Sequence, residues 1–93
     1  MSTTFVARTS NFPDQPDLEE KWFIGTQRFD GLMFNPQGGG AGDMPIEMFI
    51  DHIDGVAQWY TENDDTEAAQ QALAYWYICM GAYNLGATEV VWG

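Results

Sequence analysis

Two periods of hydrophobic spacing divide the chain. "TTFVARTS", Thr3 to Ser10, alternates, with Phe5 and Ala7 on one face and Val6 and Arg8 on the other. Alternation built from β-branched and aromatic residues predicts a strand. "NFPDQPD", Asn11 to Asp17, breaks the pattern with prolines and aspartates and reads as a loop. After Leu18-Glu19-Glu20, the run "KWFIGTQRFDGLMFN" predicts two short strands about a turn at Gly25-Thr26-Gln27. The second would cover Phe29 to Phe34, with a bulge at Asp30-Gly31. "NPQGGGAGD", Asn35 to Asp43, has four glycines in nine positions and predicts a flexible linker.

From there the period changes to that of a helix. Asp43 suits an N-cap and Pro45 a first turn, so a helix is expected to run to about Tyr60. Stepping by about 100° per residue gathers Ile46, Phe49, Ile50, Ile53, Val56, Ala57 and Tyr60 on one broad face. Glu47, Asp51, Asp54, Gln58 and Glu62 form the opposing stripe. Met48, His52 and Trp59 fall on the flank nearer Phe49 and Val56. "TENDDTE", Thr61 to Glu67, reads as a turn, with Asp64 and Glu67 spaced as a capping box for the next helix. That helix is expected from about Thr66 to Tyr83, burying Ala69, Leu73, Trp76, Met80 and Tyr83. Its opposite face starts polar at Glu67, Gln70 and Gln71 and turns apolar at Tyr75 and Ile78, so its second half is covered on more than one side or carries an interface. Asn84 or Gly86 can stop it. "ATEVVW", Ala87 to Trp92, predicts a closing strand paired with the first.

These elements predict a single α+β domain over residues 1–93. It divides into a β-rich part (1–34), a glycine-rich linker (35–43), a helical hairpin (44–84) and a closing strand (87–92). The fold class is a small antiparallel sheet, made of the N-terminal strand, the hairpin and the C-terminal strand, covered on one face by the helical hairpin. Composition supports a real core, since aromatic residues make up 15% of the chain. A disordered acidic tail would lack them.

Charge changes the picture most. Fourteen acidic residues oppose Arg8, Lys21 and Arg28, for a formal net charge of −11. Direct binding to nucleic acid or to an anionic membrane needs clustered Lys and Arg and is not expected. A basic protein or a divalent cation fits the sign, and solubility alone would give the same numbers. Cys79 is the sole cysteine, so no intrachain disulfide can form. Its apolar context, "YWYICMGAY", predicts a buried, inert thiol. A small chain without staples suggests a reducing compartment. With no signal-type or membrane-spanning run, the sequence predicts a soluble cytoplasmic protein, in the host-cell cytoplasm if it is phage-encoded.

The stretch "IEMFIDHIDG", Ile46 to Gly55, invites a catalytic or metal reading. Glu47, Asp51 and Asp54 nevertheless face away from the apolar stripe, whereas carboxylate catalysis needs a shifted, usually buried acid. One His and one Cys on different helices are too few for a metal centre. "ENDDTE" lacks the alternation, central glycine and closing glutamate of a calcium loop. Neither Ser2 nor Ser10 sits on a nucleophile elbow. No Lys-Ser/Thr follows the glycine run to hold a phosphate, and Asp43 would repel an anion. Tyr75-Trp76-Tyr77 lacks the basic residues of a nucleic-acid stacking platform and reads as core, with Tyr75 at an interface. No enzymatic activity, metal or cofactor is therefore expected.

A surface role has more behind it. Acidic groups i and i+4 on a helix lie about 6 Å apart along the axis, the same order as the spacing of backbone phosphates. In size and charge the chain resembles the small acidic inhibitors that phages use against restriction or CRISPR nucleases, a resemblance of type that carries no site assignment. The expected role is thus a non-enzymatic inhibitor or adaptor. It would use an acidic surface as a nucleic-acid mimic to block a basic nucleic-acid-handling protein, such as a nuclease complex. The expected contacts are Glu47, Asp51, Asp54, Glu62, Asp64, Asp65 and Glu67, edged by Met48, Trp59, Tyr75 and Ile78. The alternative is an assembly module that forms a homodimer, or docks into a larger complex, through the second helix around Tyr75 and Ile78.

Overall fold

The computed structural model of the chain describes residues 2–9, 19–28, 34–37 and 40–93. Strands β1 (Ser2–Arg8), β2 (Lys21–Arg28) and β3 (Gly42–Pro45) precede helices α1 (Ile46–Glu62) and α2 (Thr66–Asn84), and β4 (Glu89–Trp92) closes the order. The strands form one sheet in the order β2-β1-β4-β3, every neighbouring pair antiparallel. The last strand pairs with the first, from Phe5 opposite Trp92 to Arg8 opposite Glu89. The α+β class and the helical hairpin follow the expectation.

Strand alternation sets which face the helices cover. Thr3, Phe5 and Ala7 of β1 are buried, as are Val90 and Trp92 of β4. Phe5 lies at the centre, its ring centroid 5.5 Å from Phe49, 5.9 Å from Tyr75 and 5.8 Å from Trp92. α1 adds Ile46, Phe49, Ile50, Ile53, Val56 and Ala57, the face that helical stepping predicts. On the far face of the sheet, Val6 stands opposite both Phe23 and Val91, and Phe23 is 63% exposed.

The turn expected at Gly25-Thr26-Gln27 is replaced by continuous strand. Phe5 pairs with Gly25 and Val6 with Phe23, so Ile24 is an extra residue that bulges the ladder and is itself buried. Gly25 marks a close approach: a Cβ there would lie 2.4 Å from the Tyr75 hydroxyl oxygen. Phe34, expected at the end of a second hairpin strand, is instead a buried turn residue with its ring centroid 4.9 Å from Tyr75. The rest of that strand, its bulge at Asp30-Gly31 and the loop at 11–17 lie outside the described residues.

The linker ends earlier than expected. Gly42 and Asp43 belong to β3, paired with Trp92 and Val91 of β4. Gly42 leaves room for the Trp92 ring, since a Cβ would meet Trp92 Cζ2 at 2.6 Å. Pro45, not Asp43, is the N-cap of α1. The first helical amide, Ile46 N–H, is satisfied by the Thr88 carbonyl oxygen at 3.0 Å. At the second helix the cap moves too, by one residue. Asp65 caps α2 by accepting from the Ala68 amide at 3.2 Å, while Asp64 takes the left-handed conformation, φ 59°, that ends the turn.

α2 buries Ala69, Ala72, Tyr75, Cys79 and Ala82. The expected stripe of Leu73, Trp76, Met80 and Tyr83 is therefore rotated by about one residue. Trp76 and Met80 are half-buried against the core, while Leu73 and Tyr83 are exposed. The helix is apolar nearly all round in its second half, so periodicity does not fix its rotation there. Gly86, at φ 106°, stops it. The Gly86 amide donates to the Tyr83 oxygen and the Ala87 amide to the Ala82 oxygen, the two bonds of a left-handed helix stop. β4 then begins at Glu89, two residues after the expected start. Among the described residues no helix is long and apolar enough to cross a membrane.

Candidate functional site

The outer surface of α1 is acidic because its inner surface is the core. With Ile46, Phe49, Ile50 and Ile53 turned to the sheet, the opposing stripe of Glu47, Asp51, Asp54 and Glu62 faces solvent, and all four are exposed. The chain then reverses over Asn63-Asp64-Asp65, held by the Asn63 amide on the Trp59 oxygen and the Asp65 amide on the Tyr60 oxygen. Asp64, Asp65 and Glu67 are exposed at the start of α2. Negative charge there is favourable beside the amino end of the helix dipole. Asp65 and Glu67 thus have a structural use whatever else they contact.

Besides the capping Asp65, Glu47 and Asp54 are each tied to another side chain. Glu47 Oε1 accepts the Tyr83 hydroxyl at 2.9 Å, linking the start of α1 to the end of α2. That bond, followed by the carboxylate charge, pushes the Tyr83 phenol above its ordinary value. Asp54 Oδ2 accepts the Gln58 side-chain nitrogen at 3.1 Å, one turn further along the stripe.

No Lys or Arg follows Arg28 in the sequence. Arg8, Lys21 and Arg28 all belong to β1 and β2. On the far face of the sheet, Arg8 Nε donates to Glu89 Oε1 at 2.5 Å, and its Nη1 lies 3.6 Å from Glu19 Oε1. The Lys and Arg residues are therefore confined to the sheet. The helical hairpin carries seven acids and no Lys or Arg, and β1 and β2 carry every Lys and Arg.

One member of the expected hydrophobic edge is not on the surface. Tyr75 is only 4% exposed, its hydroxyl oxygen accepting the Gln27 side-chain nitrogen at 2.8 Å and its ring packed on Phe5 and Phe34. Burial raises its phenol. It is a core residue, and an interface centred on it is corrected accordingly. Met48 and Trp59 are exposed on α1, and Ile78 is exposed on α2. The larger exposed apolar groups of the second helix are Tyr77, at 68%, and Leu85 just beyond it, at 69%. Tyr77, expected in the core with Tyr75 and Trp76, lies instead on the surface, and Leu85 carries no expectation from the sequence. The signal was the all-round apolar character of α2, which announces surplus apolar residues without showing which of them lie outside.

Between the helices lies an open groove of about 240 Å³, lined by Asp54, Ala57, Gln58, Thr61 and Glu62 of α1 and Leu73 of α2. Among the described residues, no group of three or more His, Cys, Asp or Glu is placed to hold a metal ion. Cys79 is fully buried, and burial pushes its thiol up to about 12. It is held as a thiol at neutral pH rather than as a thiolate nucleophile. The surface can offer carboxylates to cations and apolar groups to a second protein. No protein-family model, no curated protein and no solved structure matches the chain.

Proposed function

We propose that this chain is a small, non-enzymatic binding protein, an inhibitor or adaptor, that offers its acidic helical surface to a basic nucleic-acid-handling protein. One observation carries the reading. Glu47, Asp51, Asp54, Glu62, Asp64, Asp65 and Glu67 are all exposed on one hairpin whose sequence contains no Lys or Arg. Such a surface attracts a cationic channel and repels nucleic acid itself. Glu47, Asp51 and Asp54 follow one another at about 6 and 4.5 Å along the helix axis, the same order as the phosphate spacing that such a channel is built to receive. The binding would be competitive with the partner's nucleic acid.

Capture from a lysate on the immobilised chain, at low and then at high salt, tests this reading. Basic nucleic-acid-binding proteins should be held at low salt and released at high salt. Recovery of no basic protein at low salt would sink it.

A second reading has its own observation. Tyr77, Ile78 and Leu85 expose apolar surface on and just after α2, which fits assembly by dimerisation or docking into a larger complex. Binding of that kind would withstand salt and fail on Tyr77→Ala with Ile78→Ala.

A further inference from the structure

The interhelical groove has an apolar floor and an acidic rim. Ala57 is buried and Leu73 is 42% exposed, while Asp54, Gln58 and Glu62 are exposed around them. Its volume, about 240 Å³, falls below the roughly 300–1,000 Å³ of small-molecule sites. A groove of that size suits one long side chain. An aliphatic stem can cover Leu73 and Ala57 while its charged head stays at the carboxylates, the usual behaviour of a long cationic side chain on an apolar surface.

The polar groups favour one head group. Gln58 uses its side-chain nitrogen to donate to Asp54, which leaves its amide oxygen as an acceptor. Glu62 follows Gln58 by four residues on the same helix, so the two side chains are neighbours. A carboxylate beside an amide oxygen offers two acceptors to a planar donor with several N–H groups. That is the chemistry of guanidinium, and a lysine ammonium is a point charge that gains less from the pair.

We infer that the groove between α1 and α2 is a seat for an arginine side chain of the basic partner. Leu73 and Ala57 receive the stem, and Glu62 with the Gln58 oxygen receives the guanidinium. Asp54 is a positioning residue, acting through the amide of Gln58. The inference rests on the basic-partner reading and adds where that partner's cationic anchor docks.

The test is an amide-shift NMR titration of the full chain with N-acetyl-arginine methylamide. The comparators are the lysine analogue and the citrulline analogue, a neutral match in shape. The arginine compound should give saturable shifts concentrated at residues 54–62 and at Leu73. Its affinity should exceed that of the lysine compound, and the citrulline compound should give no saturable response. Glu62→Gln should weaken arginine binding by about tenfold, as loss of one charge-assisted contact does. Gln58→Ala should reduce the preference for arginine over lysine. Both positions are exposed, so neither variant threatens the fold. Shifts spread over all acidic residues, equal binding of lysine, or indifference to Glu62→Gln would each overturn the inference.

The inference and the reading it rests on can fail separately. If a basic partner is captured but binds the Glu62→Gln and Leu73→Ser variants as it binds the native chain, the groove assignment falls and the basic-partner reading stands. If the arginine compound seats as described while no basic partner is captured, the groove assignment stands and the wider reading falls.

Discussion

Helices α1 and α2 cover the same face of one sheet but bury different kinds of side chain. α1 inserts branched and aromatic groups: Ile46, Phe49, Ile50, Ile53 and Val56, with Ala57. α2 turns mostly small ones inward, Ala69, Ala72, Cys79 and Ala82, with Tyr75 as the exception. Small contact residues let a helix lie close to its neighbours. Tyr75 is admitted because Gly25 of β2 has no side chain in its way. The consequence is on the outside. α1 turns its branched apolar residues into the core and presents carboxylates, with Met48 and Trp59 as its exposed apolar groups. α2 has more large apolar residues than its inner face accepts, and Leu73, Tyr77 and Ile78 remain exposed. α1 supplies most of the hairpin's surface charge and α2 most of its exposed apolar groups, and the groove between them joins the two.

Substitutions can break this contrast. The largest effect is expected from α1. Phe49 is fully buried against Phe5 and Trp92, and Phe49→Ala should cost about 3–5 kcal/mol of stability in denaturant unfolding. Next comes overpacking of the close contacts. Ala72 is fully buried, and Ala72→Leu should cost about 1–3 kcal/mol, whereas Leu73→Ala, one residue along, should cost less than about 1 kcal/mol. If the two α2 results were reversed, the helix would be rotated to the stripe that its large residues suggest. Gly25→Ala should also cost about 1–3 kcal/mol. Combined with Tyr75→Leu it should cost less than the sum, because the Cβ clash is with the tyrosine ring.

A subtler effect concerns pH. The Cys79 thiol, ordinarily near 9.0, is pushed up to about 12 by burial. The folded state therefore holds this proton at pH values where the unfolded chain releases it. The contribution is complete below about pH 9 and is lost as pH rises towards 12. Unfolding followed between these limits should show stability falling, with a shallower fall in Cys79→Ala. Tyr60 and Tyr75, raised by burial, and Tyr83, raised by its bond to Glu47, would contribute to the remaining slope. An equal slope in both proteins would mean that the thiol is not buried in the folded state. The smallest effect is local. Glu47→Gln should lower the pH at which Tyr83 ionises, read by phenolate absorbance against a Tyr83→Phe control, because the charged acceptor that holds the phenol proton is gone.

The same contrast explains what was legible beforehand. α1 could be read from Ile46 to Ala57 because its apolar and acidic residues separate cleanly at helical spacing. α2 could be located but not oriented. Its pattern favours the large residues Leu73, Trp76, Met80 and Tyr83, and close packing chose Ala72, Cys79 and Ala82 beside them. Gly25 reads as a turn residue in one dimension. Only the approach of Tyr75, fifty positions away, shows that it belongs in mid-strand. Asp43 reads as a cap, and its place in β3 depends on Val91 lying opposite. The acidic surface was visible because exposed carboxylates follow from α1's buried face. The groove was not, since it needs Leu73 to face outward beside Ala57.

The contrast between the two helices also frames the decisive measurement of function. A basic protein captured on the chain should be tested against the native protein, against Asp51→Lys with Asp54→Lys, and against Tyr77→Ala with Ile78→Ala, each at low and high salt. The expected result is a loss of at least about tenfold in affinity for the charge-reversed variant and for the native chain at high salt, with the apolar variant little changed. Retained affinity after charge reversal, together with loss in the apolar variant, would contradict the basic-partner reading and give the surface of α2 the binding role.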